Sequence, residues 1–345
     1  MREMETCGMN TARQIELVCP AGNLPSVKAA VDNGADAVYI GLNNKTNARY
    51  FSGLNFSDSS IEKAVQYIRD HGRKVFVAIN TYPQEKSWPQ WREAVDIGAR
   101  LGVDALIIAD IGVMDYAASR HPHIARHLSV QASATSLEAL QFYHEQFGIR
   151  RAVLPRVLSL KQVERLAAKS PIELEVFGFG SLCIMAEGRC YLSSYVTGDS
   201  PNNCGACSPA HAVRWEESAH TLETRLNNVL IDRFRPDEPA GYPTLCKGRF
   251  QVEQHLFHAL EEPVSLNALD MLPQLAGAGI AAIKIEGRQR APAYIAKVAR
   301  VWRQAIDRHA RMGSSYAAQP DWHRTLAELA EGSQTTLGAY HRPWQ

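Results

Sequence analysis

Eight times along the chain a short apolar run gives way to a stretch with helical spacing. That alternation limits the fold more than any other feature. The runs are Glu16–Cys19, Ala37–Ile40, Lys74–Asn80, Ala105–Ala109, Leu128–Ala132, Arg151–Leu154, Glu173–Phe177 and Ala281–Ile285. None alternates polar with apolar residues, as a strand with one wet face does; continuous runs suit parallel strands covered on both sides. Helices are expected over Leu24–Asn33, Ser59–His71, Trp88–Leu101, Val113–Ser119, Ser136–Phe147, Leu160–Lys169, Leu266–Ala276 and Ala293–His309. The pattern predicts an α/β protein, a TIM-like (β/α)8 barrel. A doubly wound open sheet is the alternative, because strand count does not prove closure.

At 345 residues the chain has room for a barrel of about 250 residues and an insertion. Hydrophobic residues make up 46%, enough for a large core without disulfides. Basic residues number 37 and acidic 36, a net charge of +1 that argues against a dominant nucleic-acid surface. No apolar run is long enough for a transmembrane helix, and MREMETCGMNTARQ has no apolar core of a secretory signal. A cytoplasmic chain with reduced thiols is expected. The reading divides it into a disordered extension at 1–14, which carries a free Cys7, a barrel domain at 15–311 and a polar tail at 312–345 packed on the barrel. The barrel domain includes a Cys-rich insertion at 181–260.

Five of the seven cysteines lie in or beside that insertion: Cys183, Cys190, Cys204, Cys207 and Cys246. Thiolates gathered among glycines suit a soft metal or an iron–sulfur cluster. The gaps of six, sixteen and thirty-eight residues that separate Cys183, Cys190, Cys207 and Cys246 are not ferredoxin spacings. Cys204-Gly-Ala-Cys207 alone has zinc-knuckle spacing, so spacing leaves iron–sulfur and structural zinc both open. Cys19, at the end of a buried strand, is read as a packing residue.

Barrels of this kind place reactive groups at the C-terminal ends of the strands. Asn80, Thr81, Asp110, Gln131, Ser133, Arg156, Glu286 and Arg288 stand there, and the insertion leaves strand seven on the same face. Arg156 and Arg288 suit an anion with two carboxylates, since each guanidinium binds one of them bidentately. The structural alternative for Arg288 is an ion pair with Glu286. Arg189 is read either as a donor to a cluster sulfur or as the ion-pair partner of Glu187. Gly178 and Gly180 are expected to let the backbone pass close to a cluster. His121-Pro-His123 is read as a solvated loop rather than a metal pair. The basic side of the last helix (Arg300, Arg303, Arg308, Arg311) is read as a solvated face or partner contact.

The segments ELVCPAGNLPSVKAAVDNGADAVYIGL, TNARYFSGLNF, LSVQASAT, FGSLCIMAEGRCYLSSYVTGDSPN, GACSPA, GYPTLCKGR, IKIEGRQR and QTTLGAYHRPWQ resemble the collagenase-like, U-type peptidase family. The likeness covers about residues 15 to 345 in one register. Within the family, the Cys pattern and short C-terminus are most similar to the branch acting in oxygen-independent ubiquinone biosynthesis. The resemblance implies a [4Fe–4S] cluster on Cys183, Cys190, Cys207 and Cys246, with Cys204 extra to the pattern. It further implies a heterodimer with a UbiV-like paralogue, a sterol-carrier-like lipid-binding protein as companion, a ubiquinone precursor as substrate and prephenate as oxygen donor. Asn80, Gln131, Arg156, Glu286 and Arg288 are the candidate substrate residues, while no catalytic residue is assigned. RNA-base hydroxylation within the same family and proteolysis are the competing readings. No H-E-x-x-H or G-x-S-x-G motif supports the latter.

Overall fold

The computed structural model describes residues 15–51, 53–183, 185 and 187–341. The expected extension 1–14, with Cys7, and the last four residues lie outside them. Eight parallel strands form the barrel. Seven come in chain order: β1 Glu16–Pro20, β2 Ala37–Gly41, β3 Lys74–Ile79, β4 Ala105–Ile108, β5 Ala125–Leu128, β6 Ile149–Val153 and β7 Glu173–Ser181. Helices α1 Leu24–Asp32, α2 Asp58–Asp70, α3 Trp88–Leu101, α4 Ile111–Arg120, α5 Leu137–Phe147 and α6 Leu160–Ala167 connect them.

Beyond β7 come two short helices, α7 Leu192–Thr197 and α8 Pro201–Cys204. A three-stranded antiparallel sheet follows, β8 Val213–Glu217, β9 Leu222–Leu226 and β10 Val229–Phe234, then a hairpin, β11 Phe250–Val252 with β12 His255–Phe257. The chain rejoins the barrel sheet at β13 Ser265–Asn267, antiparallel to β7. After α9 Leu272–Gly277 the eighth barrel strand, β14 Ala282–Ile285, pairs with both β1 and β7. Those two pairings close the barrel and exclude the open sheet. Helices α10 Pro292–Met312 and α11 Pro320–Leu329 follow, and β15 Thr335–Thr336 pairs with β13. No described helix is long and apolar enough to cross a membrane.

Alternate strand residues face two different cores. Leu17, Cys19, Val38, Ile40, Val75, Val77, Leu106 and Ile108 pack with the helices, and Cys19 is fully buried there as a packing residue. Val18, Ala37, Tyr39, Phe76, Ala105, Ile107 and Ala282 form a second cluster. The alanines leave volume beside that cluster, which charged side chains fill. Local signals fix the helix ends. Asn23 caps α1 through the Ser26 N–H (2.9 Å), and Ser136 caps α5 through the Ala139 N–H (3.2 Å). Gly102 and Gly148 end α3 and α5 in the left-handed conformation.

Two elements differ from expectation. The fifth strand is Ala125–Leu128, and Val130–Ala132 is a 3-10 turn whose Ser129 Oγ accepts the Gln131 N–H (3.2 Å). Charged positions disguised the real strand, because Arg126 turns to the Phe147 carbonyl (2.7 Å) and His127 packs edge-on against Phe76. The helix expected from Leu266 begins only at Leu272. Pro273 suits a first helical turn, and Ser265–Asn267 instead extends the sheet beside β7, whose own run continues to Ser181.

Candidate functional site

All five candidate substrate residues line one cavity at the C-terminal end of the barrel: Asn80, Gln131, Arg156, Glu286 and Arg288. It encloses about 550 Å3 of empty space, its opening to solvent included. Each residue is held there by its own strand end. Asn80 follows β3, accepts the Ala48 N–H (2.9 Å) and donates to Ser129 (3.0 Å). Arg156 follows β6, pairs with Glu187 (2.9 Å) and stacks on the Phe177 ring at 3.6 Å. Arg288 follows β14 and donates to Asn47 Oδ1 (2.9 Å). It makes no ion pair with Glu286, which corrects that expectation; Glu286 pairs with Arg49 instead (3.4 Å).

The other polar residues at this face have structural work. Thr81 donates to the Lys45 carbonyl, Asp110 caps α4 through the Val113 N–H (3.0 Å), and Ser133 hydrogen-bonds the Glu187 carbonyl. Arg49, Tyr39 and Lys284 line the cavity although the sequence reading gave them no role. Lys284 lies over the Tyr39 ring (3.9 Å) and pairs with Glu175 (2.7 Å). Its place inside an apolar strand run was the available signal. Arg49 sits in TNARYFSGLNF, where nothing in the local pattern marks it.

Cations dominate the cavity wall. Burial alone would raise the Glu286 carboxyl, but Arg49, Arg156 and Arg290 hold it below the usual carboxylate range. Burial pushes Arg288 down to about 10, still charged at neutral pH. Burial likewise lowers Lys284, against the pull of Glu175. A guanidinium facing a neutral amide is ready to receive a carboxylate.

The cysteines lie above this cavity. Cys207 lies within electrostatic reach of Cys190 and of Arg49, and Cys246 within reach of Cys183 and Cys207. Those contacts run through the four predicted ligands. Cys204 is set against the Ala206 carbonyl (3.8 Å), Asp199 and Lys45. Burial pushes the Cys207 and Cys246 thiols up, Cys246 to about 12, with Cys183 and Cys207 adding to the effect. Thiols this crowded resist ionising together, and a bound cluster or metal offsets that repulsion. The donor set fits such a group chemically. Among the described residues no three His, Cys, Asp or Glu converge tightly enough for a single metal ion. A four-iron cluster binds each thiolate to a different iron, so its ligands stand further apart.

Several contacts tie the Cys loops to the barrel. Glu187, between Cys183 and Cys190, reaches Arg156, so it is not the partner of Arg189. Arg189 donates to the Gly188 carbonyl (3.0 Å) and faces Tyr82. Asn202 brackets Cys190, accepting its N–H (3.3 Å) and donating to its carbonyl (3.0 Å), while the Tyr82 N–H donates to the Asn202 carbonyl (2.9 Å). Gly188 and Gly205 are needed because a Cβ would strike the Gln131 carbonyl at 2.1 Å and the Asn47 carbonyl at 2.3 Å. Gly178 and Gly180 allow close packing within the barrel. A Cβ there would meet Ile283 and Trp302, or Glu286. In the tail, Glu331 binds Ser181 (2.5 Å), Lys247 and Arg290 (3.1 Å), and the Tyr340 hydroxyl donates to the Phe177 carbonyl (3.2 Å).

The remaining motifs are structural. His121 pairs with Asp96 (2.7 Å), and no metal set includes it among the described residues. Arg303 is held by Asp36 (2.9 Å) and Asp307 (2.7 Å), and Arg300 by Asn33 (3.0 Å).

Residues 22–343 match the family described as Peptidase family U32. The tRNA hydroxylation protein P of Helicobacter pylori (strain 26695) is 33% identical over 295 residues, 85% of this chain and 65% of that protein. The protein of the same name in Escherichia coli K12 is 30% identical over 341 residues, 92% of this chain and 72% of that one. The E. coli 23S rRNA 5-hydroxycytidine C2501 synthase is 28% identical over 297 residues, 86% of this chain but only 40% of the relative. A match spanning almost the whole chain, on a closed barrel with its Cys insertion at the mouth, places it: the chain belongs to peptidase family U32.

Proposed function

We propose that this chain is the [4Fe–4S] subunit of an oxygen-independent hydroxylase for ubiquinone precursors, the role of the UbiU branch of its family. It would act in the cytoplasm as a heterodimer with a UbiV-like paralogue, beside a sterol-carrier-like protein that presents the lipid precursor. What supports the reading is the chain of pairwise electrostatic proximities that links Cys183, Cys190, Cys207 and Cys246, and that reaches Arg49 on the wall of a cavity also lined by Arg156, Lys284 and Arg288. Cys183, Cys190, Cys207 and Cys246 would hold the cluster, which supplies one-electron chemistry when bound. Arg288 and Arg156 would grip the two carboxylates of prephenate, the oxygen donor of the reading. Phe177 holds the Arg156 fork by stacking against it, and Tyr39 lines the same cavity. Glu286 would orient Arg49 and, held as a carboxylate, keep competing anions from that side.

Hydroxylation of an RNA base is the second reading, favoured by the names of the relatives. Proteolysis has no candidate nucleophile set to support it. Anaerobic purification with iron and sulfide analysis is the first test, on wild type and on Cys207→Ala and Cys204→Ala. About four irons and four sulfides per chain are expected, lost in Cys207→Ala and kept in Cys204→Ala. A colourless protein holding one zinc would end the hydroxylase reading. A deletion strain grown without dioxygen separates the two substrates: loss of ubiquinone with RNA bases intact is expected, and the reverse would move the function to RNA.

A further inference from the structure

Backbone strain falls on the residue where cavity and Cys loops meet. Arg49 has φ +82°, a left-handed conformation that residues with a Cβ rarely adopt. Strain of that kind persists only where the surroundings over-determine it. Here the Arg49 N–H donates to the Gly205 carbonyl (2.7 Å), inside the Cys204–Cys207 turn. Its own carbonyl accepts from Asn55 Nδ2 (3.0 Å) and the Phe51 N–H (3.1 Å). Glycine would occupy this backbone freely, so what the strained residue adds is its guanidinium. That group lines the cavity, contacts Glu286 at 3.4 Å and lies within electrostatic reach of Cys183 and Cys207.

We propose that Arg49 is a positioning residue shared by the anion cavity and the cysteine cluster, so that a dicarboxylate bound in the cavity and the redox state of the cluster act on each other. The inference rests on the proposed cluster. A dicarboxylate held by Arg288 and Arg156 brings its negative charge beside the Arg49 fork in the same cavity and offsets the positive charge facing Cys183 and Cys207. A centre that loses a facing cation accepts an electron less readily, so dicarboxylate binding lowers its midpoint potential. Linkage makes the effect reciprocal: reduction weakens dicarboxylate binding by the same factor. The oxidised protein therefore holds the anion and the reduced protein releases it.

The test uses anaerobically prepared, cluster-containing full chain as wild type, Arg49→Gly and Glu286→Gln, with prephenate as the probe. Iron per chain, thermal midpoint, prephenate affinity by calorimetry, and midpoint potential with and without prephenate are measured on each. In wild type the potential should fall on adding prephenate. Arg49→Gly, whose backbone suits the site, should keep its iron and thermal midpoint. It should bind prephenate at least tenfold more weakly and show no shift in potential at saturation. Glu286→Gln, which frees the fork, should bind more tightly. An Arg49→Gly protein with wild-type affinity, or with an undiminished shift, overturns the inference alone. Wild type without iron overturns it together with the proposed function. Should Arg49→Gly lose its iron, Glu286→Gln decides: tighter binding with a larger shift supports the inference, and unchanged binding overturns it.

Discussion

Deep in the barrel, Arg151 is buried among Glu16 (2.7 Å), Glu173 (2.6 Å) and Glu175 (3.4 Å), and Lys284 holds the other oxygen of Glu175. At the mouth, Arg288 is as deeply buried, yet its contact is the neutral amide of Asn47. In the first layer Lys74, Arg151 and Lys284 are matched by Glu16, Glu173 and Glu175, three by three. At the mouth Arg49, Arg156 and Arg288 face Glu286 and Glu187, three against two. Charge deep in the barrel is closed on itself and serves the fold. Charge at the mouth is left one anion short, as a site for an anionic ligand requires.

If that contrast holds, the largest effect should come from opening the closed layer. Arg151→Met removes the cation shared by Glu16, Glu173 and Glu175, leaving Lys74 beside Glu16 and Lys284 beside Glu175, and urea unfolding should show a loss of about 3–5 kcal/mol, the usual consequence of removing one partner from a buried network. A loss below about 1 kcal/mol would show that water reaches the layer and break the contrast. Arg288→Gln should do the opposite, leaving stability within about 1 kcal/mol while weakening prephenate binding at least tenfold, about 1.4 kcal/mol. Calorimetry and urea unfolding on the same preparation check both halves. A variant that unfolds readily but still binds would reverse the assignment.

The smallest effect is in acid. Burial alone would raise the Glu16 carboxyl, but Arg151 and Lys74 outweigh it and hold the folded-state value below the unfolded one. Its stabilisation is therefore complete above the unfolded value and fades as pH falls through the lowered folded value. As pH falls from about 5 to about 3, wild type should lose more stability than Glu16→Gln. Parallel melting curves for the two proteins would place Glu16 outside the closed layer.

The fold was legible where local signals and tertiary fate agree. Trp88–Leu101 was read to the residue, since Pro89 suits a first turn and Gly102 the left-handed end. Reading failed where a strand carries charge inward: Ala125–Leu128 hides Arg126 and His127, and the apolar turn after it looked more like a strand. The five cavity residues were legible because strand ends in such barrels converge by construction. Their pairings were not. Glu187 with Arg156, and Arg49 with Glu286, join residues 31 and 237 positions apart, beyond any local pattern. The choice of Cys183, Cys190, Cys207 and Cys246 over Cys204 rests on family likeness, because zinc-knuckle spacing points equally to Cys204.

The seam that closes the barrel joins its first strand to its last, Glu16 opposite Ala282. A chain released N-terminus first has therefore synthesised every cysteine of the insertion before β14 exists to complete the ring. For that interval the insertion hangs from a sheet of seven strands whose two edges, β1 and β7, still lack the strand that joins them. Contacts of such long sequence separation also form slowly, which lengthens the time for which those two edges stay open.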